Sequence, residues 1–213
     1  YSVEFQYTGT VVSKVDDDVY YVDNRSSWYP QLNPSFTNFE LLFHYPAELD
    51  LVATGKEINS FAEGDRRTTI FRTQAPIRRA AFNLGRYKIA SKKAGIYTVE
   101  VCANVSTATK LQPRHRPLKI WVDSTPHRQK RDSLLQPTMD YEPTVVTPRP
   151  ADRLDEIVNH SASAVEFFHE QFGPLELPKI VISPIPGSFG QGFAGLVYAS
   201  TLSYFAPEDL PLQ

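Results

Sequence analysis

The first half of the chain alternates apolar and polar residues with a period of two. In the run 39–45 the odd positions carry Phe, Leu, Phe and Tyr, while Glu40 and His44 fall on the other face, as a half-buried strand requires. Gly, Pro, Asn and Asp separate this run from similar ones. The similar runs lie at 3–7, 19–22, 49–54, 68–73, 86–90, 97–104 and 118–122. Short strands at this spacing predict an antiparallel β-sandwich.

The period changes near residue 150. Five prolines in the stretch 124–150 predict an extended connection that is neither helix nor central strand. Apolar residues then recur at three- and four-residue steps, behind an acidic start and ahead of Gly173-Pro174, which is typical of a single amphipathic helix. The apolar face of this helix is predicted to consist of Leu154, Ile157, Val158, Ser161, Val165, Phe168 and Phe172.

Beyond the helix the pattern predicts a buried strand at 179–183, a glycine-rich loop at 187–195 and a further strand at 196–199. We therefore divide the chain into a β-sandwich N-terminal domain at 1–125, a proline-rich linker at 126–150 and the truncated start of a second domain at 151–213. The chain opens in strand-like sequence and stops without a terminating element, so we expect it to be a piece of a longer protein.

Composition narrows the possible functions. With 41% hydrophobic and 22% charged residues the 213-residue chain is long enough for a real core, and a net charge of -2 offers no electrostatic footprint for nucleic acid. No apolar run approaches the roughly 18 residues of a membrane-spanning helix. The single cysteine, Cys102, excludes an internal disulfide and is predicted to be a packed or half-exposed thiol.

The dipeptide His169-Glu170 begins the zinc-peptidase motif H-E-x-x-H, in which two histidines four apart present their ring nitrogens from one helical face. The fourth position after His169 is Gly173, so the motif fails. The five histidines show no other metal-ligand spacing. His169 is predicted to lie in the last turn of the helix, and we predict neither metal ligands nor catalytic residues in this chain.

Two further motifs also fail. Gly190, Gly192 and Gly195 match the dinucleotide fingerprint in spacing, but a strand rather than a helix is predicted to follow them. Ser188 lacks the glycine two positions before it that a nucleophile elbow needs, because that position holds Pro186. Neither a nucleotide site nor a serine nucleophile is predicted here.

Several phrases, taken in their order, give the chain a resemblance to the membrane alanyl aminopeptidase family of zinc metallopeptidases. These phrases lie at 27–30, 39–46, 51–56, 81–85 and 172–181. The resemblance implies a mainly β fold, in which an antiparallel β-sandwich domain is followed by a helix and the first strands of an α+β thermolysin-like catalytic domain. It also implies zinc in the intact parent enzyme, with ligands encoded beyond Gln213, and a peptide as substrate. The chain alone would then be inactive.

Members of that family with aminopeptidase activity carry Gly-x-Met-Glu-Asn before a strand that begins Gly-Leu, and the Glu pairs with the free amine of the substrate. The alignment implied by the resemblance places Gln191, Gly192 and Phe193 at the Met-Glu-Asn positions. The predicted substrate-binding residues are therefore Gln191, Gly192, Phe193, Ala194 and Gly195. Because no carboxylate is present, we expect a different anchor, a relaxed peptidase or a non-peptidase descendant. The strand 196–199 is expected to pair with an extended peptide.

A second hypothesis is a non-catalytic β-sandwich module that docks a partner. Trp28, Tyr29 and Trp121 would be its candidate contact residues, although a sandwich core explains aromatic residues equally well. The sequence leaves the cellular compartment, the oligomeric state and the substrate preference open.

Overall fold

The computed structural model describes residues 2–16, 19–22, 28–30, 35–105, 149–186 and 188–206. Twelve strands and one α-helix occur in these ranges. The helix α1 spans Leu154–Phe172 and follows a 3₁₀ turn at Pro150–Arg153; a second 3₁₀ turn spans Thr201–Tyr204. The strands are β1 Val12–Asp16, β2 Val19–Val22, β3 Glu40–Pro46, β4 Asp50–Ala53, β5 Lys56–Glu63, β6 Arg66–Arg72, β7 Phe82–Gly85, β8 Tyr87–Ala94, β9 Tyr97–Asn104, β10 Lys179–Ile185, β11 Gln191–Phe193 and β12 Leu196–Ser200.

The strands form three sheets. One has the order β1-β2-β7-β4, the second the order β3-β6-β5 and the third the order β11-β12-β10-β9-β8. Neighbouring strands are antiparallel except around β10, which runs parallel to both β9 and β12. The predicted mainly β fold with a helix after the strands is confirmed for the described part of the chain.

The four-stranded sheet lies between the other two sheets, because successive residues of its strands face opposite sides. On one side Ala53 and Phe82 pack with Phe71 of the three-stranded sheet. On the other side Val52 packs with residues of the five-stranded sheet. Both faces of β4 and β7 are therefore covered, which explains why these short strands contain few exposed residues.

Polar side chains tie the middle sheet to the five-stranded sheet. The fully buried Asn83 amide donates to the Ser183 hydroxyl and to the Pro184 carbonyl, each at 2.9 Å. The Tyr198 hydroxyl donates to the Phe82 carbonyl at 2.6 Å. Since buried polar groups are costly unless hydrogen-bonded, these contacts restrict how the two sheets can pack.

Helix α1 covers the other face of the five-stranded sheet. Leu154, Val158 and Ala162 are buried and pack against β9, whose Val99 and Val101 are fully buried. Leu154, Val158 and the partly buried Ile157 confirm the first half of the predicted apolar face, whereas Ala162 was not predicted to belong to it. The helix ends where the sequence predicts, at Gly173, whose φ of 82° is unfavourable for other residues.

The predicted apolar face is wrong at its end. Phe168 and Phe172 are 55% and 81% exposed. The sheet beneath α1 stops at the β8–β9 turn, which contains Gly95, so the last helical turn has no strand beneath it. His169 in that turn contacts the sheet, where its Nδ1 lies 2.9 Å from the Tyr97 hydroxyl.

Other strand predictions differ in detail. Residues 3–7 form no strand, and Val3, Phe5 and Tyr7 are exposed. Strands β1, β5, β7 and β11 were not predicted; β11 lies inside the predicted glycine-rich loop. The run 118–122 and residues 126–148 of the predicted linker lie outside the described residues. The division into domains stays a prediction, while β9 and β10, from either side of the predicted linker, are neighbours in one sheet.

Within the described ranges, α1 is the only α-helix, and no helix there is both long enough and apolar enough to cross a membrane.

Candidate substrate-binding site

Strand β11 forms one edge of the five-stranded sheet and β8 forms the other. Gln191, Gly192 and Phe193 pair with β12 on one side, and no described strand lies on the other. The expectation that the strand 196–199 offers a free edge is wrong, because β12 is held between β11 and β10. The free edge is one strand further out, on three of the predicted site residues.

Gly192 directs its backbone polar groups to this free edge. The Gly195 carbonyl accepts a hydrogen bond from the Val181 amide at 2.9 Å and so points towards β10. Because successive peptide groups of a strand point to opposite sides, the backbone groups of Leu196 face β11 and those of Val197 face β10. Gly192 lies opposite Val197, in a non-hydrogen-bonded pair. Its N–H and C=O therefore point away from the sheet.

A tight turn at Ala194-Gly195 sets this arrangement. Gly195 has a φ of 77°, and a Cβ at this position would lie 3.3 Å from the Lys179 carbonyl oxygen, so the turn strongly favours glycine. The Phe193 ring packs edge-on against Tyr198, with 5.1 Å between the ring centroids. The turn and the ring contact hold β11 in place.

A cleft of about 610 Å³ opens along β11. Four of the five predicted site residues, Gln191 to Ala194, line one side of it. The fifth, Gly195, lines a neighbouring cleft of about 630 Å³. The first cleft is also lined by Phe36, by the segment 75–79 and by the segment 176–177. The structure thus brings the predicted residues together with two segments that sequence reasoning did not include.

The segment 75–79 is fixed by backbone hydrogen bonds. Ile77 pairs with Thr37 through two such bonds, of 2.8 and 3.0 Å. Three residues on, the Ala80 amide donates to the Tyr29 hydroxyl at 3.2 Å. Ile77 and Ala80 are buried, and Arg78 between them is exposed. Arg78 therefore lies on a segment whose backbone is held on both sides.

The segment 176–177 is fixed in the same way. The Leu175 amide donates to the hydroxyl of the buried Tyr97 at 2.8 Å. The Pro178 carbonyl accepts from the Thr98 amide at 2.9 Å. Glu176 is thereby placed at the mouth of the cleft, on a segment whose two ends are hydrogen-bonded to β9.

The cleft carries three charged side chains, Arg78, Arg79 and Glu176. All three are exposed, and in the described part of the chain none of them has an ion-pair partner. The sequence signal that could have pointed to this part of the site is the pair Arg78-Arg79, because two adjacent charges interrupt an apolar run at that point. Their proximity to β11, far along the chain, could not be read from spacing.

The remaining candidates for chemistry have structural roles. Cys102 is fully buried, and burial raises the pKa of its thiol to about 12, which makes it a poor nucleophile. Trp28 and Tyr29 are half-buried and pack on one another and on Phe82 and Phe39. These contacts favour a role of Trp28 and Tyr29 in the core over the docking hypothesis. Trp121 lies outside the described residues.

No group of three or more His, Cys, Asp or Glu side chains that could hold a metal ion occurs in the part of the chain that the structure describes.

No family model and no curated protein matches the chain. Among solved structures, the M1 zinc metallopeptidase from Deinococcus radiodurans is similar with a TM-score of 0.54 and 12% sequence identity, over 87% of this chain and 36% of that chain. A mutant of an M1 zinc metallopeptidase from the same organism gives a TM-score of 0.48 at 12% identity, over 79% of this chain and 31% of that chain. The likeness with the TM-score of 0.54 gives the chain the fold of part of an M1 zinc metallopeptidase. The chain spans about a third of the length of these structures.

Proposed function

We propose that this chain is part of a zinc-dependent peptidase that resembles aminopeptidases, and that it supplies the β-domain and one wall of the substrate cleft. The observation that carries the proposal is the free edge of β11, where Gly192 presents an N–H and a C=O beside a cleft of about 610 Å³. The M1 metallopeptidase fold supports it.

A peptide in extended conformation would add to the five-stranded sheet next to β11. The two backbone hydrogen bonds of the peptide to Gly192 do not depend on the peptide sequence. The peptide side chains alternate in direction, and those on one side contact the cleft and depend on the sequence. A Cβ at Gly192 would meet no atom of the described chain within 4 Å, so the space beside this residue is open. Gly192 provides no carboxylate for a free amine, so the proposed site does not itself require an N-terminal ammonium group.

The described residues do not fit a zinc site, because they contain no suitable group of ligands. In this proposal zinc is held by other residues of the parent enzyme, and the 213-residue chain has no peptidase activity by itself. Hydrolysis of peptides by the purified chain, abolished by a chelator, would contradict this division of roles.

The peptide site is tested with a neutral hexapeptide of alternating Thr and Val that carries an uncharged fluorescent label. We expect the chain to bind it, and Gly192→Pro to weaken binding about tenfold, because proline removes the outward N–H and places its ring on the free edge. Proline is tolerated on edge strands whose N–H faces solvent. Fluorescence anisotropy measures the affinity, and near-UV circular dichroism verifies the fold.

Gly192→Ala is the matched control, since its Cβ occupies open space and its N–H is retained. We expect alanine to bind the peptide within about twofold of the parent chain. If proline and alanine bind equally well, or if the parent chain does not bind the peptide at all, the proposed role of β11 is wrong.

A further inference from the structure

The charges at the cleft are unbalanced. Arg78 and Arg79 lie on one wall and Glu176 lies on another, which leaves one excess positive charge among the lining residues. The Lys179 ammonium differs in this respect, because it lies 2.7 Å from the Glu100 carboxylate. Neither guanidinium in the cleft has a carboxylate partner among the described residues.

The two guanidinium groups are carried by a prepositioned segment. The hydrogen bonds of Ile77 to Thr37 and of the Ala80 amide to Tyr29 hold its backbone on either side of the arginines. Binding therefore requires ordering of the two side chains only, which lowers the entropic cost of recognising an anion. A guanidinium presents planar paired donors that match a carboxylate.

We propose that Arg78 and Arg79 give this cleft a preference for peptides with an acidic side chain next to the segment that pairs with β11. The inference rests on the proposed function, because the free N–H and C=O of Gly192 can pair with the backbone of an extended peptide and not with a simple anion. The carboxylate of the peptide would lie towards the arginines and away from Glu176, since like charges repel.

The test compares the neutral hexapeptide carrying one central Asn with its counterpart carrying Asp at that position. The two peptides differ by one charge at nearly equal volume. We expect the 213-residue chain to bind the Asp peptide about five- to tenfold more tightly at low salt. The preference should shrink as salt rises, since solvent-accessible charges are screened.

Variants assign the preference to the arginines. The double variant Arg78→Gln and Arg79→Gln should bind both peptides with the affinity that the parent chain has for the Asn peptide. Replacing both arginines with Lys should retain part of the preference for the Asp peptide. Lys88→Gln is the control for a general change of charge, because this exposed residue lies on β8, at the opposite edge of the same sheet. It should keep the full preference. Circular dichroism of each variant verifies the fold.

The possible failures are distinguishable. If the Asn and Asp peptides bind equally, the charge preference is wrong while the peptide site stands. If Lys88→Gln reduces the preference as much as the arginine variants do, the effect is long-range and the assignment to the cleft is wrong. If neither peptide binds, the proposed function fails and this inference fails with it.

Discussion

At the residue scale, burial determines the chemistry of the single cysteine. Cys102 lies on the face of β9 that packs against the middle sheet, with Val52 and Val181 in the same cluster. Removal from solvent disfavours the thiolate, and this is the main reason that its pKa rises to about 12; the nearby Glu100 carboxylate adds to the rise. Its role is to fill space in the core.

The raised pKa predicts a loss of stability in alkali. The thiol is protonated in both states below its ordinary pKa of 9.0, so folding stability is unaffected there. Above that pH the unfolded chain releases the proton and the folded chain retains it up to about 12, so stability falls by up to about 1.4 kcal/mol per pH unit. Urea unfolding at pH 8.5 and at pH 10 measures the difference.

Cys102→Ala provides the control for the alkaline loss, because it has no thiol to titrate. Between pH 8.5 and pH 10 its stability should fall by about 1 kcal/mol less than that of the parent chain. The buried Tyr87 and Tyr204 also have raised pKa values, through burial first of all, and contribute at higher pH. Equal losses in the two proteins would show that the thiol is not the titrating group.

At the element scale, a single tyrosine joins α1, β9 and the segment that follows the helix. The Tyr97 hydroxyl accepts a hydrogen bond from the Leu175 amide and shares another with His169. The helix thus reaches the sheet through a polar contact in its last turn, where Phe168 and Phe172 are exposed. The same contact positions Glu176 at the cleft.

Tyr97→Phe should destabilise the chain by about 1 to 2 kcal/mol, because the partly buried Leu175 amide loses its acceptor. For a chain of this size the melting temperature should fall by about 2 to 8 °C. Thermal unfolding followed by circular dichroism measures the shift. Tyr20→Phe is the matched control: Tyr20 is half-buried on β2 and its hydroxyl makes no hydrogen bond to described residues. Removal of this hydroxyl should shift the melting temperature by less than about 1 °C.

At the scale of the whole molecule, one buried amide makes two of the hydrogen bonds that join the middle sheet to the five-stranded sheet. Asn83 on β7 donates both of its amide hydrogens across to β10, and its side-chain oxygen accepts from the Leu84 amide. Strand β10 lies two strands from β11 in the sheet. The orientation of the cleft wall relative to the segment 75–79 therefore depends on this contact between sheets.

Asn83→Asp should destabilise the chain by about 3 to 5 kcal/mol at pH 7, because an isosteric carboxylate donates nothing and faces the Pro184 carbonyl without a compensating charge. Burial raises the pKa of such a carboxyl, so the destabilisation should decrease as the pH falls and the group becomes protonated. Denaturant unfolding at pH 7 and at pH 5 measures both effects. Asn59→Asp, on the exposed strand β5, should change stability by less than about 0.5 kcal/mol at either pH.

The sequence by itself determined the elements whose signal is local. The alternation along β3 and the three- and four-residue steps from Leu154 to Val165 follow from backbone geometry, as does the end of α1 at Gly173. Residues 191–195 were predicted as a site through family resemblance, and the peptide role of these residues stays a proposal. Sequence reasoning placed the free edge one strand too far in.

Only the tertiary structure decided which strand is an edge and which segments line the cleft. Strand β5 is exposed and strand β11 is only partly buried, and both carry little hydrophobic periodicity, so they become strands through hydrogen bonds to neighbours rather than through their own pattern. Arg78 and Gln191 lie at one cleft because three sheets pack on one another. Pairing and burial depend on residues far away in sequence, and spacing along the chain carries no information about them.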